Sequence, residues 1–126
     1  MDKVIIKTEN APAPIGPYNQ AVWGGSTLYL SGQIAIDPAT GKLKIGDVEA
    51  ETRLVMKNIQ GILEHAGLTF AHVVKCSIFL SDMNNFSKVN AIYGEYFPAA
   101  APARETVEVS KLPKGVNVEI SAIAIR

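Results

Sequence analysis

The sequence holds a single cysteine, Cys76, among its 126 residues, so no disulfide can form within the chain. It has no excess of either charge: 12 Lys plus Arg stand against 12 Asp plus Glu, and no basic run breaks the balance. Counterion release, the main drive for nucleic-acid binding, has little to act on, and no nucleic-acid partner is expected. No apolar stretch approaches the roughly 20 residues that a membrane helix requires, so no membrane span is expected. The segment Met1-Asp2-Lys3-Val4-Ile5-Ile6-Lys7 is too short and too charged for a signal peptide, and with the lone cysteine it points to a reducing cytoplasm. Neither GxGxxG nor GKS/T occurs, and Gly24-Gly25 and Ser31-Gly32 form no phosphate cradle. His65 and His72 have no acidic or thiol ligands beside them. No cofactor and no metal are expected.

What is present suffices for one core. Apolar residues make up 48% and charged residues 19%, and residues 1–126 are read as one domain. Val4 to Thr8 reads as a short strand, followed by an ordered but irregular loop from Asn10 to Tyr18, where three prolines and a glycine forbid helix or central strand. Ala21 to Tyr29 and Leu30 to Asp37 favour strands, interrupted at Gly24-Gly25 and closed by turn residues 37–41. Asp47 can cap a helix in which Thr52, Val55, Ile59, Ile62 and Ala66 recur at helical spacing, with Gly67 as its stop. Val73 to Leu80 is a continuous β-favouring run, suited to a strand buried on both sides or packed under a helix.

A second helix carries Phe86, Val89, Tyr93 and Phe97, capped by Ser81 or Asp82 and ended by Pro98. Two final strands, Thr106 to Val109 and Val116 to Ile125, are joined by Lys111-Leu112-Pro113-Lys114-Gly115 and are expected to pair antiparallel. This order predicts an α+β fold, a mixed β-sheet with two helices packed on one face. The other face has no remaining element to cover it, which predicts a homo-oligomer.

Alternation in the last strand sets Val118, Ile120, Ala122 and Ala124 on one face and Asn117, Glu119, Ser121 and Ile123 on the other. On composition alone Glu119 reads as a solvent-facing strand carboxylate, and a functional reading needs a partner. Arg104 opens the strand expected to pair with that of Glu119, so pairing would bring the two together; alone, it reads as a solvated strand-edge cation. Cys76 has no acid or base placed beside it by spacing and reads as a buried thiol, not a nucleophile.

Several segments follow, in order and spacing, the pattern of one family. They are Asn10-Ala-Pro-Ala-Pro-Ile-Gly-Pro-Tyr-Asn-Gln-Ala21, Ser31-Gly32-Gln33-Ile34 and Ala66-Gly67-Leu68 with Val73-Val74-Lys75. At the C-terminus come Pro102-Ala103-Arg104, Val107-Glu108-Val109, Leu112-Pro113-Lys114-Gly115 and Val118-Glu119-Ile120. The chain thereby resembles the reactive intermediate deaminases, the Rid or YjgF-type proteins, over nearly its whole length.

The resemblance implies a chorismate-mutase-like fold, a homotrimer whose sheets form a central β-barrel, and a ligand cleft at each subunit interface. It implies cofactor-independent hydrolysis of 2-imino acids such as 2-iminobutanoate and 2-iminopropanoate to 2-oxo acids and ammonia. Those imines are products of pyridoxal-phosphate-dependent dehydratases, which are thus functional partners. Carried over by position, Arg104 would bind the substrate carboxylate and Glu119 would hold or activate water. Tyr18, Ser31, Gly32, Asn90 and Thr106 would line the pocket, some from the neighbouring subunit. Two positions depart from the family: Glu105, where a small residue is usual, and Thr106, where many members have Cys. Alternation aims Glu105 away from the Arg104 face, and Thr106 removes thiol catalysis at its position. A rival from another class is a regulatory protein that uses the same cleft to bind 2-oxo acids.

Overall fold

Helical stripes and period-two runs combine as an α+β layer fold: one mixed sheet with both helices on one face. The computed structural model describes residues 3–126. The strands are β1 (Lys3–Ile6), β2 (Ala21–Gly24), β3 (Thr27–Gln33), β4 (Val73–Leu80), β5 (Ala103–Glu108) and β6 (Val118–Ile125); the helices are α1 (Val48–His65) and α2 (Phe86–Glu95). Their order across the sheet is β1-β2-β3-β6-β4-β5.

The local signals mostly act as their chemistry predicts. Gly25, at φ 60°, makes the turn from β2 to β3, so the hairpin closes there and the expected break after Tyr29 falls inside β3 instead. The proline loop is held by the buried side chain of Gln20. Its Nε2 donates to the carbonyls of Thr8, Ala11 and Pro12 at 2.9, 3.1 and 2.9 Å, and its Oε1 accepts from the Thr8 N–H at 2.7 Å. Asp47 caps α1 by accepting from the N–H groups of Glu49 and Ala50, and Gly67 ends it at φ 81°. Thr52, Val55, Ile59 and Ile62 are buried beneath it. Asp82 caps a short 3-10 turn, Met83–Asn85, and α2 begins after that turn with no side-chain cap of its own.

One expectation fails, and it matters for the site. The last two strands do not pair: β5 runs parallel to β4, and β6 lies antiparallel on β4's other side. The cause is the β4–α2–β5 crossover, since a strand returned through a covering helix lies parallel to the strand it left. Residues 109–117 then carry the chain across β4 to the far side, where Val118, Ile120, Ala122 and Ala124 bury under the helices as alternation predicts. β4 itself is covered on one face only. Val73, Cys76, Ile78 and Leu80 are buried, while Lys75, Ser77 and Phe79 are half-exposed on the other. That second face also carries Val22, Tyr29, Val107 and Ile123, and among the described residues nothing covers it.

The frame is locked by a buried carboxylate. Glu51, in the first turn of α1, is fully buried and accepts from the backbone N–H groups of Asn117 (2.7 Å) and Val118 (3.1 Å) and from Asn117 Nδ2 (2.9 Å). These bonds pin α1 to the start of β6, one residue before Glu119. Glu51→Ala leaves those buried donors unpartnered and is expected to lose about 3 kcal/mol or more of unfolding free energy. Glu51→Gln, which retains one carbonyl acceptor, loses less; urea denaturation at matched m-values reads both.

Candidate active site

Alternation along the edge strand β5 turns Arg104 and Thr106 toward α2. There Arg104 Nη1 donates to Asn90 Oδ1 at 2.7 Å, and its Cζ lies 5.7 Å from the Phe86 ring centroid and 5.1 Å from that of Tyr93. Phe86, Asn90 and Tyr93 are spaced i, i+4, i+7, so one stripe of α2 supplies all three contacts. Each aromatic face attracts the cation by about 0.5–2 kcal/mol, more as water is excluded. Asn90 occupies one of five guanidinium donors and leaves the planar fork able to grip a carboxylate through two parallel bonds. Beside it, Thr106 Oγ1 is buried without a hydrogen-bond partner, and the buried Tyr93 hydroxyl faces the Cys76 thiol.

Cys76 stands opposite Arg104 in the β4–β5 register, a basic neighbour that its spacing in the sequence did not supply. Burial nonetheless pushes the thiol's pKa up, and the Tyr93 hydroxyl and Arg104 offset this only in part. The thiol remains protonated at neutral pH, which agrees with its reading as a buried, unreactive group.

A second set gathers on the open side of the sheet. Glu119 is half-buried against Gly32, where an added Cβ would collide with its carboxylate. Desolvation pushes its carboxyl pKa up. Ser31 is fixed by donating from Oγ to the Asn19 carbonyl at 2.6 Å and from N to the Gln20 carbonyl at 2.9 Å. Tyr18 folds back to accept from the Ile15 N–H at 3.3 Å, and with Gly32 it borders a cavity of about 30 Å³.

Within one chain these two sets do not meet. Arg104 pairs with Cys76 and Glu119 with Phe79, so they lie two strands apart and three residues out of step on β4. With strands about 4.8 Å apart and a rise of about 3.3 Å per residue, their Cα atoms are roughly 14 Å apart. Their side chains also leave opposite faces of the sheet, since Cys76 is on the buried face and Phe79 on the open one. The expected contact by direct strand pairing is therefore corrected: the chain carries a guanidinium half and a carboxylate half, held separately. A cleft of about 860 Å³ along the outer side of α1, lined by Lys44, Arg53, Lys57 and Glu64 among others, contains none of these residues.

Comparison with known proteins gives the chain a family. The family model described as Endoribonuclease L-PSP matches residues 8–126. The chain belongs to the YjgF/RidA family. It is 52% identical to the RutC family protein PH0854 of Pyrococcus horikoshii, over 98% of each chain. It is 49% identical to the 2-iminobutanoate/2-iminopropanoate deaminase of Bos taurus, over 97% of this chain and 89% of the bovine protein. Among solved structures, the Rid-family protein YyfA of Yersinia pestis superposes with a TM-score of 0.97 at 52% identity, covering 99% of this chain and 100% of that one. E. coli TdcF with bound serine superposes with a TM-score of 0.93 at 41% identity, covering 98% of both.

Glu105 faces away from Arg104 as alternation predicts. It bonds Lys75 Nζ at 2.9 Å and the Ser77 hydroxyl on the open face, which hold its carboxyl below the usual range. The residues that sequence reading missed are Phe86 and Tyr93 as supports of Arg104. They stood in the predicted apolar stripe of α2, but only the β5 register reveals what lies under them.

The bare space at Gly32 yields a test. Gly32→Ala keeps an ordinary backbone conformation, and the clash falls on the end of a flexible side chain, so the melting temperature stays near that of the parent while Glu119 swings outward. Carbon-13 NMR of the Glu119 carboxyl should then record a pKa moved down toward the ordinary carboxylate value. An unmoved pKa contradicts the contact.

Proposed function

We propose that the protein is a cofactor-independent deaminase that hydrolyses 2-imino acids, such as 2-iminobutanoate and 2-iminopropanoate, to 2-oxo acids and ammonia. The observation that carries this reading is the Arg104 fork, pre-oriented by Asn90 and two aromatic faces for a planar carboxylate. A bovine relative at 49% identity bears the name of that activity, and the TdcF relative holds serine, a ligand with a carboxylate.

Because Arg104 and Glu119 leave opposite faces, the complete site is assembled between copies. Arg104, Asn90 and Thr106 come from one subunit; Glu119, Gly32, Ser31 and Tyr18 come from its neighbour. The assembly is a homotrimer whose open sheet faces line a central barrel, set in the cytoplasm beside the pyridoxal-phosphate-dependent dehydratases that release such imines. The carboxylate on Arg104 holds the C=N carbon still. Water adds to that carbon as Glu119 takes one of its protons. Glu119 returns that proton to the imine nitrogen, giving the carbinolamine. It then takes the carbinolamine hydroxyl proton and passes it to the same nitrogen, so that ammonia leaves as the carbonyl of the 2-oxo acid forms. A carboxyl raised by desolvation suits both halves of this exchange.

The rival regulatory reading has no use for a negative charge beside a carboxylate anchor. Tighter 2-oxo acid binding by Glu119→Gln with turnover unchanged would favour it. The ribonuclease in the family model's description finds no electrostatic support in a net charge of zero.

Arg104→Ala is expected to lower kcat/KM for 2-iminobutanoate by about 10²-fold or more through loss of charged hydrogen bonds. Glu119→Gln is expected to lower kcat by about 10²- to 10⁴-fold. Competition with semicarbazide for imine generated in situ measures both. Subunits of the two inactive variants, unfolded and refolded together, should regain about a quarter of parent activity, the share of interfaces that unite an intact Arg104 with an intact Glu119. No recovery would place both groups in a single-chain site and overturn the assembly.

The pH dependence has a definite sign. Raised above the ordinary carboxylate range, Glu119 keeps its proton to higher pH, so the base form is lost earlier as pH falls. The acid limb of kcat should lie above the usual Glu value and be absent from the residual activity of Glu119→Gln.

A further inference from the structure

Arg104 stands on a sheet edge, where a long side chain ordinarily explores many rotamers and loses that freedom on binding. Its polar support is exposed: the bond to Asn90 joins two solvent-accessible side chains and competes with water. Its aromatic support is not. Tyr93 is only 5% exposed, and its ring centroid is the nearer of the two to the guanidinium, at 5.1 Å. Behind it the rings continue. Tyr93 packs on Phe97 at 4.9 Å, Phe97 on Phe70 at 5.4 Å edge to face, and Phe70 on Tyr96 at 5.2 Å. This run ties the shelf under Arg104 to the end of α2 and to the 3-10 turn Phe70–His72. The Tyr93 hydroxyl faces the Cys76 thiol and makes no hydrogen bond to Arg104, so only the ring face serves the guanidinium.

We propose that Tyr93 is a positioning residue for Arg104: its buttressed ring face fixes the guanidinium and so sets how tightly the site takes the carboxylate of a 2-imino or 2-oxo acid. The inference rests on Arg104 as the carboxylate anchor. It predicts an effect on affinity more than on turnover of bound substrate, because the ring touches neither the water nor the reacting carbon.

The test uses the whole assembled protein and two readouts. The first is the Nε–Hε NMR signal of Arg104, assigned by its disappearance in Arg104→Lys; the second is 2-oxobutanoate binding. In the parent and in Tyr93→Phe, the Arg104 signal should be displaced by ring currents and rigid, with equal affinities for 2-oxobutanoate. In Tyr93→Leu the displacement should shrink, the order parameter should fall toward the flexible range below ~0.6, and affinity should weaken about tenfold. In an Arg104→Lys background, Tyr93→Leu should cost markedly less affinity than it does in the parent.

Unchanged order and affinity in Tyr93→Leu overturn the inference. So does a Tyr93→Phe loss as large as that of Tyr93→Leu, which would assign the effect to the hydroxyl, or an equal loss in the Arg104→Lys background, which would make it general to the fold. If Tyr93→Leu does not fold, a fluorinated phenylalanine at position 93 keeps the ring's shape and drains its face of negative charge. Affinity that falls with fluorination then supports the proposal, and affinity that does not fall overturns it. A parent with no affinity for 2-oxobutanoate would remove the proposed function, while the Arg104 signal would still decide the role of Tyr93.

Discussion

A strand has two faces, and side chains directly opposite across a ladder share one of them. That parity governs this molecule, because β4 stands between the strand of Arg104 and the strand of Glu119 and meets them at positions of opposite parity, Cys76 and Phe79. The separation has a chemical consequence. An Arg and a Glu in contact form an ion pair that occupies the fork and drives the carboxyl pKa down. Kept apart within each chain, Arg104 retains free donors for an anion, and Glu119 feels desolvation alone and rises. A ligand carboxylate placed between them neutralises the cation before it can draw on the acid.

Buried polar groups hold both halves in register more firmly than the apolar core could. Apolar contacts alone tolerate sliding, whereas a one-residue slip of β6 would move Glu119 to the helix face and Val118 to the open one. Glu51 opposes that slip by bonding the N–H groups of Asn117 and Val118 specifically. Gln20 acts likewise for the other wall, since it gathers the carbonyls of Thr8, Ala11 and Pro12 while its own backbone carbonyl receives the Ser31 N–H. Each is a charged or amide side chain satisfied from several sides, which makes the alternative registers costly instead of merely less favourable.

Local chemistry in the sequence foretold what depends on near neighbours. Asp47 and Gly67 mark the ends of α1, Val73–Leu80 is a strand with the predicted bounds, and the period of two in β6 sorts its buried residues correctly. Glu105 pointing away from Arg104 follows from the same alternation. What failed is non-local. Two adjacent strand-like segments joined by a glycine-containing link look like a hairpin, and nothing in either one reveals that β4 lies between them. The antiparallel guess for β5 and β6 overlooked that α2 makes β4 and β5 a crossover unit. The family pattern singled out Arg104 and Glu119 one by one, but their placement relative to each other, and the packing of Arg104 on Phe86 and Tyr93, exist only in the sheet order.

The edge position of β5 limits how another copy can approach. Pro102, Arg104, Glu105 and Glu108 on and beside that edge are the features by which edge strands resist continuing a sheet into a second molecule. The remaining approach is across the open face, and that face is not uniformly apolar. Lys75 and Glu105 pair at 2.9 Å, Ser77 bonds the same carboxylate, and Ser121 stands opposite Ser77 in the β4–β6 register. Pressing two such faces together as a dry sandwich would strip water from an ion pair that gains no new partner, a desolvation cost seldom recovered. The open face therefore has two parts, an apolar one with Val22, Tyr29, Phe79 and Ile123 and the polar row of Lys75, Glu105 and Ser77. A barrel such as the one proposed can keep the polar row in contact with water while its apolar neighbours are covered, whereas a dry two-sheet dimer cannot.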